Sequence, residues 1–502
     1  MSKKPRSAIE PTREQNFADW YQQVIKASEL AENSPTRGCM TIKPWGYAIW
    51  ERMQRLLDDQ IKACDVENIY CPLLIPLSFF NKEAGHVDGF ATECAVVTHH
   101  RLVKEGAELV PAGKLTEPLV VRPTSETLFG ELFSRWIQSY RDLPCQLNQW
   151  ANVMRWEMRP RAFLRSAEFL WQEGHTAHET ESQAKDMASR MAALYQRFFT
   201  DVLAIPTVLG EKTAHERFAG GDVTHTLEAL MQDGKALQAA TSHCLGQNFA
   251  RSFDVTYQDR SGQQQHVWNT SWGVTTRMIG ALVMVHSDDD GCCLPPRIAP
   301  KQVVVIPIKH KQEHHAAVDG YVQQITQMLR CDAFGEPLRV HVDHRDMTGG
   351  EKKWSWIKKG VPLILEVGYR EVNEGTVAVI TRSNMAKQLW PVSELSERVV
   401  NGLASIQDHY LSEAKKKMLA QTERVTDPER WQQILVDKSR GFFLVPWSNV
   451  ESHEKALHQH QFTIRALIDV QHPFYQEMAL SEQRCIATGQ RTALWALVSQ
   501  AY

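Results

Sequence analysis

The stretch Arg155–His178, RWEMRPRAFLRSAEFLWQEGHTAH, combines arginines, carboxylates, aromatic residues and histidines in one short segment. An arginine such as Arg155 presents a planar fork that can bind a phosphate through two hydrogen bonds. Glu157 follows two residues later, so on an extended strand its side chain points to the same face as that of Arg155. This first half of the stretch therefore predicts a binding face suited to ATP.

The second half of the stretch shows the same alternation on another predicted strand. Trp171, Glu173 and His175 place an apolar plate, an acid and an imidazole side by side, which suits an amino acid. His175 and His178 could also suggest a metal site. A spacing of three on an extended strand, however, sends their side chains to opposite faces. We therefore expect an amino-acid pocket here and no metal site.

Further motifs follow in a fixed order along the chain. They are Arg122-Pro-Thr-Ser-Glu126, Phe218-Ala-Gly-Gly-Asp222, Thr241-Ser-His243, Gly246-Gln-Asn-Phe249 and Ser271-Trp-Gly-Val-Thr-Thr-Arg277. Together with the first stretch, this ordered set resembles the class II prolyl-tRNA synthetases, in the form shared by archaea, eukaryotes and some bacteria. The resemblance implies an α+β fold with a mainly antiparallel sheet and helices, and ATP-dependent activation of proline for transfer to tRNA.

The resemblance also implies roles for single residues. Arg155 and Arg277 are the implied catalytic residues, since arginines neutralise the charge that grows on the phosphate as an ionised carboxylate attacks it. The implied ATP-binding residues are Arg155, Glu157, Arg165, Gln238, Thr241, Thr275 and Arg277. The implied proline-binding residues are Thr124, Glu126, Arg155, Trp171, Glu173, His175, Phe218 and His243. ATP and Mg²⁺ are the expected cofactors, with no metal held by the protein alone.

The residue types of the proline set fit that role. A secondary ammonium group in a pocket requires a negative acceptor and a short hydrogen-bonding partner, and Glu126 and Thr124 provide both at a same-face spacing. The ring requires apolar walls, which Trp171 and Phe218 supply by resemblance. Neither a Gly-x-x-x-x-Gly-Lys loop nor a Gly-x-Gly-x-x-Gly turn occurs between a predicted strand and helix, so side chains must hold the phosphates.

Composition sets broader limits. The chain has 502 residues, 43% hydrophobic and 23% charged, with a formal net charge of -3, which predicts a globular protein of two or three domains. A charged amino terminus and the lack of a long apolar run predict a cytoplasmic protein without a membrane segment. Ten cysteines at irregular spacings suggest reduced thiols, with Cys292 and Cys293 as small buried apolar residues.

Periodicity predicts three domains. They are the catalytic domain at 1–297, an anticodon-binding-like α/β domain at 298–404 after the proline-rich boundary, and a small α+β carboxy-terminal domain at 405–502. The predicted elements are helices at 46–69, 179–201, 312–330 and 405–420, and strands at 70–76, 118–122, 145–157, 163–175, 303–308, 338–342 and 361–367. By resemblance, residues 46–76 are the motif 1 that forms the dimer interface, which implies a homodimer.

The chain also departs from the family pattern. Where family members read the anticodon with Glu, Arg and Asp, this chain has Ile357, Ile364 and Glu371, and loss of a charged contact to a base edge is worth about 1 to 3 kcal/mol. After residue 400 the only cysteine is Cys485, so the zinc site of many family members is not expected. Near the catalytic centre, the family glycines are Ala239 and Ala240 here.

Two functions remain open at this point. The first is a prolyl-tRNA synthetase that joins proline to tRNA, favoured by the complete three-domain architecture. The second is a paralogue that activates proline or a proline analogue and transfers it to a non-tRNA or noncognate acceptor, favoured by the altered anticodon segment. An Asp at position 290, where the family has a basic residue, adds to this divergence or is tolerated outside direct contact with the ligand.

Overall fold

The computed structural model describes residues 8–82, 93–469 and 471–502, so the charged residues 1–7 lie outside the described part. The helices before residue 300 are α1 (Phe17–Ala27), α2 (Pro44–Lys62), α3 (Leu77–Lys82), α4 (Glu126–Trp136), α5 (Glu181–Asp201), α6 (Asn248–Ser252) and α7 (Arg277–His286). The strands there are β1 (Ala31–Asn33), β2 (Met40–Ile42), β3 (Glu67–Asn68), β4 (Leu74–Pro76), β5 (Val96–Glu105), β6 (Glu108–Val121), β7 (Cys145–Met154), β8 (Glu168–His178), β9 (Val208–Glu211), β10 (Val223–Leu230), β11 (Ala236–Gly246), β12 (Thr256–Gln258), β13 (Gln264–His266) and β14 (Trp268–Thr275).

The rest of the chain alternates strands and helices. Its helices are α8 (His315–Met328), α9 (Gly349–Lys359), α10 (Tyr369–Glu374), α11 (Leu395–Ala420), α12 (Pro428–Asp437), α13 (Glu451–Gln459) and α14 (Pro473–Glu477). Its strands are β15 (Val303–Pro307), β16 (Asp332–Ala333), β17 (Glu336–Pro337), β18 (Val340–Val342), β19 (Leu363–Val367), β20 (Thr376–Thr381), β21 (Ala386–Pro391), β22 (Thr422–Arg424), β23 (Phe442–Pro446), β24 (Thr463–Ile468), β25 (Gln483–Arg484), β26 (Arg491–Thr492) and β27 (Trp495–Ser499).

One large sheet runs through the first half of the chain and its carboxy-terminal end. Its strand order is β22-β23-β27-β24-β9-β10-β11-β14-β8-β7-β3. Neighbouring strands are antiparallel except for the pairs β22 with β23 and β3 with β7. This confirms the expected mainly antiparallel sheet. Strand β24 joins the sheet where Leu467 lies opposite Glu211 of β9, so the carboxy-terminal strands extend the catalytic sheet.

Several element boundaries differ from the sequence prediction. The predicted strand 163–175 starts only at Glu168, because Phe163 has a φ of 61° and residues 161–165 turn back on themselves. Helix α2 ends at Lys62, earlier than predicted, and only Leu74–Pro76 of the predicted strand 70–76 is extended. Helix α11 starts at Leu395 and runs through the boundary predicted at 404–405. The domain limits themselves stay a prediction.

A second sheet, β18-β15-β19-β20-β21, forms the α/β region that the sequence predicted after residue 298. Strand β15 is parallel to both of its neighbours. Ile357 on α9 and Ile364 on β19 are fully buried and belong to the same apolar core as α2 and α5. Both side chains pack in the interior, so neither offers a hydrogen bond to a base edge, and the predicted loss of the family's charged base contacts stays a prediction.

An ion pair joins this α/β region to the end of α7. The guanidinium of Arg382 is fully buried and donates to both carboxylate oxygens of Asp288 at 2.7 and 2.6 Å. It also donates to the carbonyl oxygens of Ile357 and Gly291. A buried guanidinium with these partners fixes the two regions against each other. The divergent Asp290 lies two residues after Asp288, in the turn at this junction between regions.

Candidate active site

A cavity of about 720 Å³ lies on one face of the large sheet. Every residue that the sequence assigned to ATP or proline lines it: Thr124, Glu126, Arg155, Glu157, Arg165, Trp171, Glu173, His175, Phe218, Gln238, Thr241, His243, Thr275 and Arg277. The structure thus brings together positions that are up to 153 residues apart in the chain, counted from Thr124 to Arg277. Their individual roles stay a prediction.

Strand register explains how these side chains reach one face. Thr275 of β14 lies opposite Trp171 of β8, and Ser271 lies opposite His175. On the next strand, His243 of β11 lies opposite Ser271. Directly paired residues in a sheet point to the same face, and residues two apart along a strand do so as well. The alternation in the sequence is therefore repeated across three neighbouring strands, and it forms the floor of the cavity.

Two carboxylates occupy one end of the cavity, which we call the proline end after the ligand that the sequence predicts there. Glu173 is only 3% exposed, and its Oε1 accepts hydrogen bonds from Ser125 Oγ at 2.6 Å and Gln149 Nε2 at 2.5 Å. Its Oε2 lies 2.8 Å from Nε2 of His175. The hydroxyl of Thr124 donates to the other carboxylate, Glu126. Uncharged donors and one imidazole thus hold two buried acids in a fixed geometry.

Aromatic side chains form the walls of the proline end. The rings of Phe218 and His243 are 4.7 Å apart, and Nδ1 of His243 lies 3.0 Å from Oγ1 of Thr224. Burial lowers the pKa of His243 to about 3, with further lowering by His225 and His175. His243 is therefore an uncharged wall residue at neutral pH, and it leaves the two carboxylates to bind a cation.

Arginines dominate the opposite end, which we call the phosphate end. Arg277 donates to the carbonyl oxygens of Leu164 and Gln238 at 3.3 and 3.4 Å. Burial and the guanidinium groups of Arg165 and Arg155 lower the pKa of Arg277 to about 10. Cations that repel each other at one end of a cavity favour an anionic ligand, and a polyphosphate supplies that charge.

Arg155 lies between the two ends. Its Nε donates to the carbonyl oxygen of Pro123 at 2.8 Å, and its guanidinium lies 5.7 Å from the ring centre of Phe169 and also 5.7 Å from that of Trp171. Burial lowers the pKa of Arg155, while the carboxylates of Glu126 and Glu173 act against this shift. The aromatic rings and the backbone thus hold one guanidinium at the point where the acidic and basic ends meet.

His178 does not join the cavity. Its Nε2 lies 2.7 Å from Oγ1 of Thr176, on the face of β8 opposite to that of His175. Burial lowers the pKa of His178 to about 4. Among the described residues, no group of three or more His, Cys, Asp or Glu side chains could hold a metal ion. Cys292 and Cys293 are both buried, as the sequence predicted, and all ten cysteines are free thiols.

Several cavity residues escaped the sequence reasoning. Lys212, Thr224, Ser271 and the carboxy-terminal residue Tyr502 line the cavity. Oγ of Ser271 and Nε1 of Trp171 are buried without a hydrogen-bond partner in the described part of the chain, so both can bind a ligand. Ser271 could have been found from the sequence, because it begins the motif that ends at Arg277. It lies two residues before Gly273, which also lines the cavity. Lys212 gave no signal, since a single lysine after a strand is usually exposed.

The departures near the centre prove to be of two kinds. Ala239 and Ala240 are buried and line the cavity, so their methyl groups are part of its wall. Asp290 is not among the cavity-lining residues of the described chain, and its backbone N–H donates to Oδ1 of Asp288. The added negative charge therefore lies in the turn that carries the Arg382 ion pair. This placement favours the interpretation that it is tolerated away from the ligand.

Two protein families match consecutive parts of the chain. Residues 113–286 match the tRNA synthetase class II core domain (G, H, P, S and T), and residues 302–402 match the anticodon binding domain. A proline-tRNA ligase from Paramagnetospirillum magneticum is 50% identical over 507 residues, and one from Protochlamydia amoebophila is 50% identical over 512 residues. Each alignment covers 100% of both chains.

A solved structure agrees over almost the same length. The crystal structure of a prolyl-tRNA synthetase from Cryptosporidium parvum, complexed with halofuginone and AMPPNP, matches with a TM-score of 0.86 and 36% identity. The match covers 98% of this chain and 97% of that chain. Within the described residues, no helix has the length and apolar character needed to cross a membrane.

Proposed function

The chain belongs to the class II prolyl-tRNA synthetases and ligates proline to tRNA with ATP, and we propose that the cavity on the large sheet carries out both chemical steps. In the first step, a carboxylate oxygen of proline attacks the α-phosphorus of ATP, and pyrophosphate leaves. In the second step, a hydroxyl of the terminal ribose of tRNA attacks the carbonyl carbon of prolyl-adenylate, and AMP leaves. The relative that was crystallised with AMPPNP supports a nucleoside triphosphate site.

The observation that carries this assignment is the division of one cavity into an acidic end and a basic end. A secondary ammonium group fits between Glu126 and Glu173, which are buried and held by neutral donors. The proline ring then lies against Trp171 and Phe218, which are cavity walls. Proline is zwitterionic, so its carboxylate points away from the acids and towards Arg155. The arrangement orients the nucleophile before it meets the phosphate.

Catalysis in this proposal is electrostatic. The proline carboxylate is already ionised, so no general base is needed for the first step. Arg155 at the junction of the two ends stabilises charge on the α-phosphate, and Arg277 stabilises charge on the outer phosphates. Arg165, Gln238, Thr241 and Thr275, which all line the cavity, complete the nucleotide site. The backbone contacts of Arg155 and Arg277 keep both guanidinium groups in place before ATP binds.

Mg²⁺ is the proposed ion that accompanies ATP. Magnesium keeps several waters and binds phosphates together with one or two carboxylates, so it does not require three protein ligands. Glu157 lines the cavity, and its Oε1 already accepts a hydrogen bond from the backbone N–H of Arg159, which holds the carboxylate in place. We propose Glu157 as the carboxylate on that side. When bound, the ion neutralises phosphate charge.

The remaining parts of the chain fit tRNA binding and assembly. We propose that residues 298–404 contact the anticodon stem. We also propose that residues 405–502 act without zinc, and their strands extend the catalytic sheet. A homodimer through the motif 1 segment is supported by exposed apolar side chains there, which are Tyr47, Tyr70 and Leu74. A cytoplasmic location fits a protein with free thiols that acts on tRNA.

Two assays on the same purified protein test the function. Proline-dependent exchange between ATP and labelled pyrophosphate reports adenylate formation, and transfer of labelled proline to transcribed proline tRNA reports the second step. We expect both activities. Exchange without charging of any tRNA would instead support the alternative, in which another acceptor takes the prolyl group. Exchange with a proline analogue in preference to proline would change the amino acid but leave the site assignment intact.

A further inference from the structure

Three buried charged side chains form a cluster at the edge of the cavity, which we call the Lys212 triad: Lys212, Glu228 and Arg465. Nζ of Lys212 donates to Oε1 of Glu228 at 3.0 Å. Arg465 donates to both oxygens of the same carboxylate, at 3.0 Å from Nε and 3.2 Å from Nη2. The three residues are 5%, 0% and 7% exposed, respectively. Two cations thus share one carboxylate in the interior.

Folding alone does not explain why two buried cations share a single carboxylate. A buried cation requires compensation, and one carboxylate compensates one of the two cations. Burial acts to raise the pKa of Glu228, but Arg465 and Lys212 hold it below its ordinary value, so the carboxylate is ionised. The bidentate contact from Arg465 already neutralises it. Within the triad, the positive charge of Lys212 is therefore in surplus. Glu216 of the cavity wall also attracts this lysine electrostatically, and Lys212 is the triad member that lines the cavity.

The position of the triad indicates which ligand the surplus charge meets. Glu228 of β10 lies opposite Gln238 of β11 in the sheet register. The carbonyl oxygen of Gln238 accepts a hydrogen bond from Nη1 of Arg277. Arg465 and Glu228 are also among the groups that shift the pKa of Arg277. The triad is thus adjacent to the phosphate end, whereas the acidic residues of the proline end lie on β8 and α4.

From this placement we propose that Lys212 is a further phosphate-binding residue, which contacts the outer phosphates of ATP and the pyrophosphate product. Glu228 and Arg465 are positioning residues that direct its ammonium group. The inference rests on the proposed function of the cavity, because it uses the same phosphate end. It also gives the carboxy-terminal strand β24, which carries Arg465, a part in nucleotide binding.

The direct test replaces the ammonium group of Lys212. Lys212→Met keeps the length of the side chain and removes the charge, and the pair Glu228 with Arg465 stays neutral. In proline-dependent pyrophosphate exchange, we expect KM for ATP and for pyrophosphate to rise by about 10- to 100-fold, as for loss of a charged hydrogen bond. KM for proline should stay within about twofold. Lys185→Met on α5, where the lysine is exposed and pairs with Glu181, is the matched control and should change neither constant.

The positioning role has its own readout. Arg465→Met leaves Lys212 to neutralise Glu228, so less positive charge reaches the phosphates, and KM for ATP should rise while KM for proline does not. Arg465→Lys should restore part of the affinity. In the double variant with Lys212→Met, the change in KM for ATP should equal that of Lys212→Met alone, because the arginine acts through the lysine. A purely structural role would lower stability and leave the ratio of the two KM values unchanged.

A binding measurement separates this inference from the proposed function. Pyrophosphate alone, without proline, should raise the melting temperature of the wild-type protein and raise it less in Lys212→Met. If that variant does not fold, Lys212→Gln serves instead, since its amide can still donate to Glu228. An unchanged KM for ATP together with unchanged stabilisation by pyrophosphate would overturn the role of Lys212 and leave the function intact. Lys212-dependent stabilisation in a protein that shows no proline-dependent exchange would overturn the function and leave the phosphate site.

Discussion

The proline end and the phosphate end of the cavity carry opposite charges, and they differ in how those charges are balanced. At the proline end, Glu173 is held by Ser125, Gln149 and His175, and Glu126 is held by Thr124. At the phosphate end, the cations contact backbone carbonyls and lie close to one another. The first end is a closed hydrogen-bonding network, while the second depends on a ligand to complete it.

In the proposed function, this difference corresponds to the two ligands. A secondary ammonium group carries one positive charge, so its site needs carboxylates whose geometry is fixed by neutral donors. The outer phosphates of ATP carry several negative charges that leave as pyrophosphate, so their site must tolerate closely spaced cations between turnovers. Mutual repulsion among Arg155, Arg165 and Arg277 is part of that state, and it is relieved when the phosphates bind. Substitutions at the two ends should therefore affect different kinetic constants.

The largest effect is expected at the junction of the two ends. Arg155→Ala removes the guanidinium that lies beside the carboxylates and that we propose to contact the α-phosphate, so the rate of adenylate formation should fall by about 10³-fold. Single-turnover formation of prolyl-adenylate measures it. Arg251→Ala on α6, where the arginine is exposed and contacts Gln247, is the control and should react at the wild-type rate. A near-normal rate in Arg155→Ala would remove this residue from the reacting centre.

Substitution at the proline end should instead weaken proline binding. Glu126→Gln removes the negative charge but keeps the shape, so KM for proline should rise by about 10- to 100-fold, whereas KM for ATP should change little. Pyrophosphate exchange at varied proline concentration gives both constants. Glu131→Gln lies on the same helix α4 and pairs with Arg135 outside the cavity, so it should behave as wild type. If KM for ATP rose equally in Glu126→Gln, the division of the cavity would be wrong.

Much of this division could be predicted from the sequence. Strand alternation placed Trp171, Glu173 and His175 on one face, and it placed His178 on the other. The catalytic and anticodon-binding parts were predictable because ordered motifs and a change of periodicity mark them. The long helix 179–201 and the buried strand at 303–308 were also clear, since their apolar periods are regular.

Other features depend on contacts between distant parts of the chain. Lys212 and Arg465 are separated by 253 positions, and nothing near either residue indicates that they share Glu228. The burial of Ile357 and Ile364 in the same apolar core as α2 depends on contacts between distant segments, which no local pattern around the two residues indicates. The start of β8 was predicted too early, because the turn around Phe163 requires a left-handed backbone that an apolar residue does not announce.

A smaller effect is expected at Gln149, which supports Glu173 of the proline end. Nε2 of Gln149 donates to Glu173, and Oε1 of Gln149 accepts from the backbone N–H of Cys71. Gln149→Met keeps the volume but removes these two contacts and the one from Nε2 to Oγ of Ser125, so KM for proline should rise by up to about tenfold and stability should fall by about 1 to 3 kcal/mol. Exchange kinetics and urea unfolding measure these changes. Gln146→Met on the same strand is the control, and its side chain contacts the carbonyl oxygen of Asp65. It should change KM for proline and stability less than Gln149→Met does.

The smallest effect on activity is expected from the titration of three buried histidines, His178, His243 and His286. Burial lowers the pKa of His178, His243 and His286 to about 4, 3 and 4, from an ordinary 6.5. The unfolded chain therefore binds more protons below pH 6.5. Their contribution to stability is complete above pH 6.5 and is lost as the pH falls towards 4, by roughly 2 kcal/mol per histidine at pH 5.

Urea unfolding at pH 7 and pH 5 measures this loss, and His286→Gln separates it from the chemistry. His286 lies outside the cavity, and its Nε2 is 2.9 Å from the carbonyl oxygen of Leu203, a contact that a glutamine amide can keep. Between pH 7 and pH 5, the three histidines together lower the free energy of unfolding. In the variant, this part of the decrease should be about one third smaller. His409→Gln on the exposed side of α11 should keep the wild-type pH dependence. The pH dependence of KM for proline from pH 8 to pH 6 should be the same in all three proteins, because neither His286 nor His409 lines the cavity, and a difference between them would show that one of these two residues acts on the proline end.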